Sequence, residues 1–168
     1  MIVDEGRGDL MEERGANGLR RSPLVDLTDD EIEFLKGEIR AIDADENVFR
    51  FNQGRTTGYH DDKDVITVRA SVFPDEDSTH PRDIMSARAV LAHEYYGHRA
   101  YRGTNAEKDS WHDEFRASYM AAQNAPNLSK EDRMYLMRDA LERAREAGVS
   151  IRHSDTIRRV LHGYRKKS

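Results

Sequence analysis

Two histidines and a glutamate stand together in the stretch HEYYGH, from His93 to His98. Imidazole nitrogens and carboxylates are the donors that bind zinc when no thiolate is present, and this chain has no cysteine. The spacing raises a difficulty. Two histidines that share an ion on a regular helix sit four residues apart, about 40° from one another around the axis. Here they sit five apart, which on a regular helix is about 140°. A π-type turn absorbs one extra residue without moving it to another face, and such turns concentrate at functional sites. The spacing therefore predicts a π turn between His93 and His98. Gly97 supports it, because glycine costs a plain helix interior about 1 kcal/mol and tolerates unusual backbone angles.

A catalytic zinc takes three protein ligands and one water. His93 and His98 supply two. Glu114, in DEFRAS (Asp113–Ser118), is the candidate for the third. Ala117, Ser118 and Ala121 share its helical face, and small side chains let two helices approach closely enough for a carboxylate to reach the ion. Glu94 adjoins His93 and is the candidate general base, taking a proton from a water that attacks a carbonyl. The oxyanion that forms needs a donor. His60, Tyr59, His112, Tyr119 and His153 are candidates. Tyr95 and Tyr96 read as helix packing or cleft wall, and His80 and His112 as capping or surface histidines.

The elements that must carry these residues follow from pattern. LTDDEIEFLKGEIRAI has a capping box at Thr28 and Glu31 and apolar residues at Ile32, Leu35, Ile39 and Ile42, which predicts a helix from about Asp29 to Ile42. DVITVRASVF alternates, with Ile66, Val68, Ala70 and Val72 on one face. With NVFRF and GRTTGY it predicts a small antiparallel sheet of two to four strands. Pro81 suits the first turn of a helix, expected to run from about Arg82 to Tyr101 and to stop at Gly103. A helix over about Asp109 to Asn124 follows, with Trp111, Phe115, Tyr119 and Ala122 as its apolar face. Ser129 caps another, carrying Met134, Met137, Leu141 and Ala144 and ending at Gly148. A short last helix starts near Ser154. Residues 1–23, rich in glycine and charge, read as a flexible leader or linker. The expected fold class is thus α+β: a mainly helical domain over residues 24–168 with a small antiparallel sheet packed on the helix that carries HEYYGH.

HEYYGH followed by DEFRAS resembles the zincin metallopeptidases, in the gluzincin arrangement with a downstream glutamate ligand. The H-E-x-x-G-H form is similar to the metal site of dipeptidyl-peptidase III, whose downstream motif reads E-E-x-R-A-[DE]. Asp113 stands at its first glutamate, and Glu114, Arg116 and Ala117 match. Ser118 departs from the acidic last position. In the family that position would orient a ligand histidine, and a serine accepts a histidine N–H more weakly. The resemblance spans about residues 65–120 and implies a Zn2+ cofactor on His93, His98 and Glu114, with Glu94 as base. In size and layout the chain also resembles the metallopeptidase-type toxin modules of bacterial polymorphic toxins. That likeness implies a secreted effector, a protein or peptide substrate and a cognate immunity protein. The alternative expectation is a metal-bound, noncatalytic interaction domain, against which the retained Glu94 speaks.

Composition bounds the remaining classes. The chain has 168 residues, 37% hydrophobic and 35% charged, with a net charge of −5. It has no apolar run of the ~18 residues that span a membrane and no visible signal peptide. No cysteine means no disulfide, which suits a cytoplasmic protein or one delivered unfolded by a secretion system. From Pro126 onward eleven basic side chains face six acidic ones, against −10 over the first 125 residues. Those charges mostly alternate in sign and read as a solvated helix face. No nucleic-acid motif accompanies them, so neither nucleic acid nor membrane is an expected partner.

Overall fold

The computed structural model describes residues 21–75, 77–104 and 110–162. The expected leader falls mostly outside them. Of its last residues, Arg21 pairs with Glu31 at 2.6 Å and the Pro23 carbonyl accepts from Arg69 Nε at 2.8 Å.

Helix α1 (Asp29–Ala41) starts as its sequence indicates. Thr28 Oγ1 accepts from the Glu31 N–H, and Glu31 Oε1 accepts from the Thr28 N–H, so two otherwise orphaned donors are satisfied. Leu35 and Ile39 bury its inner face completely. Strands β1 (Phe49–Phe51), β2 (Gly58–His60) and β3 (Val65–Val68) form one sheet in the order β1-β3-β2. The fold class is α+β and mainly helical, but the sheet is mixed. The β2 and β3 strands pair antiparallel, with Tyr59 opposite Ile66, whereas β1 runs parallel to β3, with Phe49 opposite Ile66.

That parallel pair corrects the expected antiparallel sheet, and the cause is the path of residues 52–57. This loop crosses the C-terminal end of β3 and delivers β2 to its far side. The Asn52 N–H donates to the Val68 carbonyl, and Thr57 Oγ1 both accepts from the Arg69 N–H and donates to the Arg69 carbonyl. Gly54 sits at φ +75°, and a Cβ there would lie 2.9 Å from Thr67 Cγ2. Only glycine passes both tests. The alternating run is shorter as a strand than expected: Ala70–Val72 form a 3₁₀ turn. Its apolar residues Ile66, Val68, Ala70 and Val72 are nevertheless all fully buried.

The helix expected over Arg82–Tyr101 is broken into parts. Helix α2 (Pro81–Ile84) ends at Met85, which is extended (φ −66°, ψ 147°). Ser86 then caps α3 (Ala87–Ala92), accepting from the Ala89 N–H at 3.1 Å and donating to Asp132 at 2.8 Å. Met85 stays buried, so the apolar pattern runs through a break that the backbone makes. A π turn (His93–His98) and a 3₁₀ turn (Arg99–Tyr101) continue the chain from α3. The π turn is the one the five-residue spacing calls for.

Helix α4 (Trp111–Asn124) is capped by Ser110 and packs on both the π turn and α5 (Lys130–Glu146). Its buried face is Asp113, Ala117, Ser118, Ala121 and Ala122. Trp111, Phe115 and Tyr119, expected as the apolar face, are only half-buried. They line the helix flank instead, Trp111 edge-on to Phe115 and Phe115 stacked on Tyr119, with ring centroids 6.2 and 5.8 Å apart. Ser129 caps α5 as expected, accepting from the Asp132 N–H at 2.9 Å. Its buried stripe is rotated from the expected one. Leu136, Met137, Ala140 and Ala144 are buried together with Asp139 and Arg143, while Met134 and Leu141 are half-buried. Helix α6 (Asp155–His162) closes the fold with Ile157. Among the described residues no helix is long and apolar enough to cross a membrane.

Candidate metal centre

The π turn brings both histidines to one point. His93 Nε2 and His98 Nε2 lie 3.1 Å apart. Glu114 Oε1 reaches them from α4, at 3.0 Å from His93 Nε2 and 3.1 Å from His98 Nε2. The three atoms make a nearly equilateral triangle. A tetrahedral zinc with bonds of roughly 2.1 Å has edges of about 3.4 Å between ligand atoms, so two imidazole nitrogens and one carboxylate oxygen stand close to the required spacing. His93 is buried, and the side chains of His98 and Glu114 are 12% and 19% exposed. The centre therefore opens on its Glu114–His98 side.

Helix α4 comes this close because Gly97 lacks a side chain. A Cβ at Gly97 would lie 2.4 Å from the Ala117 carbonyl oxygen and 2.5 Å from Ala117 Cα. The small-residue face of α4 meets the π turn at that contact, which sets Glu114, one turn before Ala117, within reach of both histidines.

Each histidine is held at its other nitrogen. His98 Nδ1 lies 3.4 Å from Asp113 Oδ1, and Asp113 is itself paired with Arg116. His93 Nδ1 lies 2.8 Å from Ser118 Oγ, and that hydroxyl donates to Asp139 Oδ2 at 2.6 Å. Partners at the second ring nitrogen are the usual means of fixing a ligand imidazole. The C-terminal charges, read from sequence as a solvated face, thus include a fully buried Asp139, paired with Arg143 Nε at 3.1 Å and Arg82 Nε at 3.2 Å. No local signal marks it. Its i,i+4 spacing to Arg143 is also that of an ordinary surface pair.

The charges in the centre act on one another. Burial raises the Glu94 carboxyl above its usual range, with His93 and His98 pulling the other way. Burial also opposes charge on His98, yet Glu114 and Asp113 carry its pKa well above the usual imidazole value. Burial works against the Glu114 carboxylate too, and His98 and His93 hold it well below its usual range. His98 and Glu114 thus favour one another's charged forms.

Glu94 is buried beside the triad, a ligand atom of it within 4.8 Å of those of His93 and His98. Its Oε1 accepts from the Tyr59 N–H at 3.2 Å. Its Oε2 is buried and has no hydrogen-bond partner.

The oxyanion candidates lie apart in their side-chain contacts. Tyr59 reaches the centre through its backbone, while its phenol donates to Asp64 at 3.0 Å. Burial and that carboxylate push the phenol pKa up to about 12. His60 Nε2 contacts Thr67 Oγ1. His112 stacks on Trp111, Tyr119 stacks on Phe115, and His153 is exposed, its carbonyl accepting from Arg158. Tyr95 and Tyr96 pack as expected, their hydroxyls bonded to the Asp45 N–H and the Ile42 carbonyl. His80 caps α2 through Nδ1. It also lies near Glu142 and Glu146, but those carboxylates are paired with Arg145 and Arg82.

No protein-family model, no curated protein and no solved structure matches this chain.

Proposed function

We propose that the chain is a zinc-dependent hydrolase, a metallopeptidase whose ion is held by His93, His98 and Glu114 and whose general base is Glu94. The observation that carries the reading is Glu94 Oε2, a buried carboxylate oxygen without a hydrogen-bond partner beside the donor triad. An unpartnered buried carboxylate oxygen is costly. A metal held for structure alone has no use for it, whereas a base must keep one oxygen free for the proton it takes.

A zinc ion in this triad would lower the pKa of a water and polarise the scissile carbonyl. The protein's own groups do the rest. His93 and His98 would hold the ion through Nε2, His98 giving up its proton as the ion binds, and Glu114 would offset part of the ion's charge. The Tyr59 N–H holds Glu94 Oε1, which leaves Oε2 to accept the proton of the attacking water and hand it to the leaving amine. The resemblance to polymorphic-toxin modules supports a protein or peptide substrate, action as a delivered effector, and a cognate immunity protein as partner.

The test is metal analysis of the purified protein together with peptide hydrolysis by wild type and Glu94→Gln, with and without chelator. The expected result is bound zinc in both proteins and a loss of about 10²-fold or more in hydrolysis for Glu94→Gln. Equal turnover by the two proteins refutes the base. Zinc bound by a wild type that cleaves no peptide, amide or ester favours the noncatalytic interaction domain.

A further inference from the structure

We propose that Asp139 positions the His93 imidazole through the Ser118 hydroxyl, a buried chain that decides which ring nitrogen faces the triad. The inference rests on the metal-site reading above and adds a residue from α5 to it.

The direction of each hydrogen bond follows from proton counting. Asp139 Oδ1 faces two guanidinium groups, Arg143 Nε at 3.1 Å and Arg82 Nε at 3.2 Å. Its Oδ2 lies 2.6 Å from Ser118 Oγ. A carboxylate offers only lone pairs, so the single hydroxyl proton of Ser118 points at Asp139. That leaves Ser118 Oγ lone pairs for His93 Nδ1, 2.8 Å away. Nδ1 must therefore carry the hydrogen and donate it. In the neutral ring, the form that binds a metal, the lone pair then sits on Nε2, the atom that lies 3.0 Å from Glu114 Oε1 and 3.1 Å from His98 Nε2.

Burial makes the arrangement binding. Ser118 and Asp139 are fully enclosed and His93 is 1% exposed, so solvent cannot replace a lost partner. A carboxylate at position 118 would meet the ring directly. Serine there passes the contact on, and Asp139 supplies the charge from the next helix. The chain links the π turn, α4 and α5, and through Arg82 it reaches α2.

Asp139 also neutralises two arginines, so its replacement alone does not separate positioning from folding. Ser118→Ala does, because it leaves Asp139 with both guanidinium groups. Zn2+ affinity is measured on the full chain by competition with a chromophoric chelator for wild type, Ser118→Ala, Ser118→Thr, Asp139→Asn, the Ser118→Ala/Asp139→Asn double variant and His93→Ala. The expected result is a 10- to 100-fold weaker affinity for Ser118→Ala and for Asp139→Asn. Ser118→Thr, which keeps the hydroxyl but adds a methyl to a fully buried site, binds zinc more tightly than Ser118→Ala. The double variant loses no more than the weaker-binding single variant, because either change cuts the same chain.

Wild-type affinity in Ser118→Ala, or single losses that multiply in the double variant, overturns the positioning role. If Asp139→Asn does not fold, the Ser118→Ala and Ser118→Thr pair still decides. Zinc lost in His93→Ala but kept in Ser118→Ala rejects the chain and leaves the metal site standing. A wild type that takes up no zinc overturns both.

Discussion

Gly97 and Ala117 touch where neither can retreat: a Cβ on Gly97 would lie 2.4, 2.5 and 2.7 Å from the O, Cα and C atoms of Ala117. All three are backbone atoms of α4, so no side-chain rotation makes room. The contact lies between the two histidines' turn and the helix that brings Glu114.

Gly97→Ala has a sign that tests this geometry. In an ordinary helix interior the change stabilises by about 1 kcal/mol. Here it must push α4 off the π turn, and destabilisation of roughly 1–3 kcal/mol is expected, as for other overpacked sites. Urea denaturation of the metal-free protein measures it, and zinc affinity should fall as well. A stabilised variant would show that the helices are not in contact.

Replacing His93, His98 or Glu114 by Ala should each strongly reduce bound zinc, read by elemental analysis after gel filtration. His60→Ala serves as the control, since that ring contacts Thr67. If Glu114→Ala keeps full stoichiometry, the carboxylate ligand is another residue. Asp113, which shares a potential ligand cluster with His98 and Glu114, is then the first to examine.

Asp64 clamps the β2–β3 turn to the end of the π turn. It accepts from Arg99 Nε and Nη2 at 3.0 and 3.2 Å and from the Tyr59 phenol at 3.0 Å. The Arg99 hydrogen bond, aided by Tyr59 and Arg102 and opposed by burial, holds its carboxyl below the usual range. A carboxyl with a depressed folded-state pKa stabilises the fold above its unfolded value, about 3.9. That stabilisation is lost as pH falls through the lower folded value. Asp64→Asn should therefore be less stable than wild type by roughly 1 kcal/mol near neutrality, and the gap should begin to close below about pH 3.9 and vanish as pH falls through the lower folded value. Thermal melts across pH 2–7 provide the check, and a gap that persists into acid would reject the assignment.

Ser86 and Ser129 both cap helices, but with different reach. Ser129→Ala should cost about 1 kcal/mol, the ordinary value for a lost N-cap. Ser86→Ala should cost more, since its hydroxyl also donates to Asp132 across to α5. Denaturant midpoints of the two variants compare them directly. Equal losses would mean that the Asp132 contact contributes nothing.

What depends on near neighbours in the chain was legible. The capping box at Thr28, the Ser129 cap, the π turn between His93 and His98 and the small face of α4 beside Glu114 all follow from spacing and side-chain size, which act within a turn or two. The presence of Gly97 was also legible, but its reason was not. Backbone freedom was the expectation, whereas the close approach of Ala117 is what excludes a side chain.

The rest required partners that lie far away in sequence. The break at Met85–Ser86 is hidden because Met85 is buried like its helical neighbours, while the capping hydroxyl is shared with Asp132, 46 residues on. The parallel β1–β3 pair arises because the 52–57 loop crosses β3, and no alternation pattern within a strand encodes its neighbour's direction. Asp139 and Arg143 look like a solvated pair on α5, and only the meeting with Arg82 and Ser118 makes their burial tolerable. Local spacing thus determined which residues stand on one face of a helix. Tertiary packing decided which faces meet, because burying a charge or closing on a glycine needs a matching group from another element.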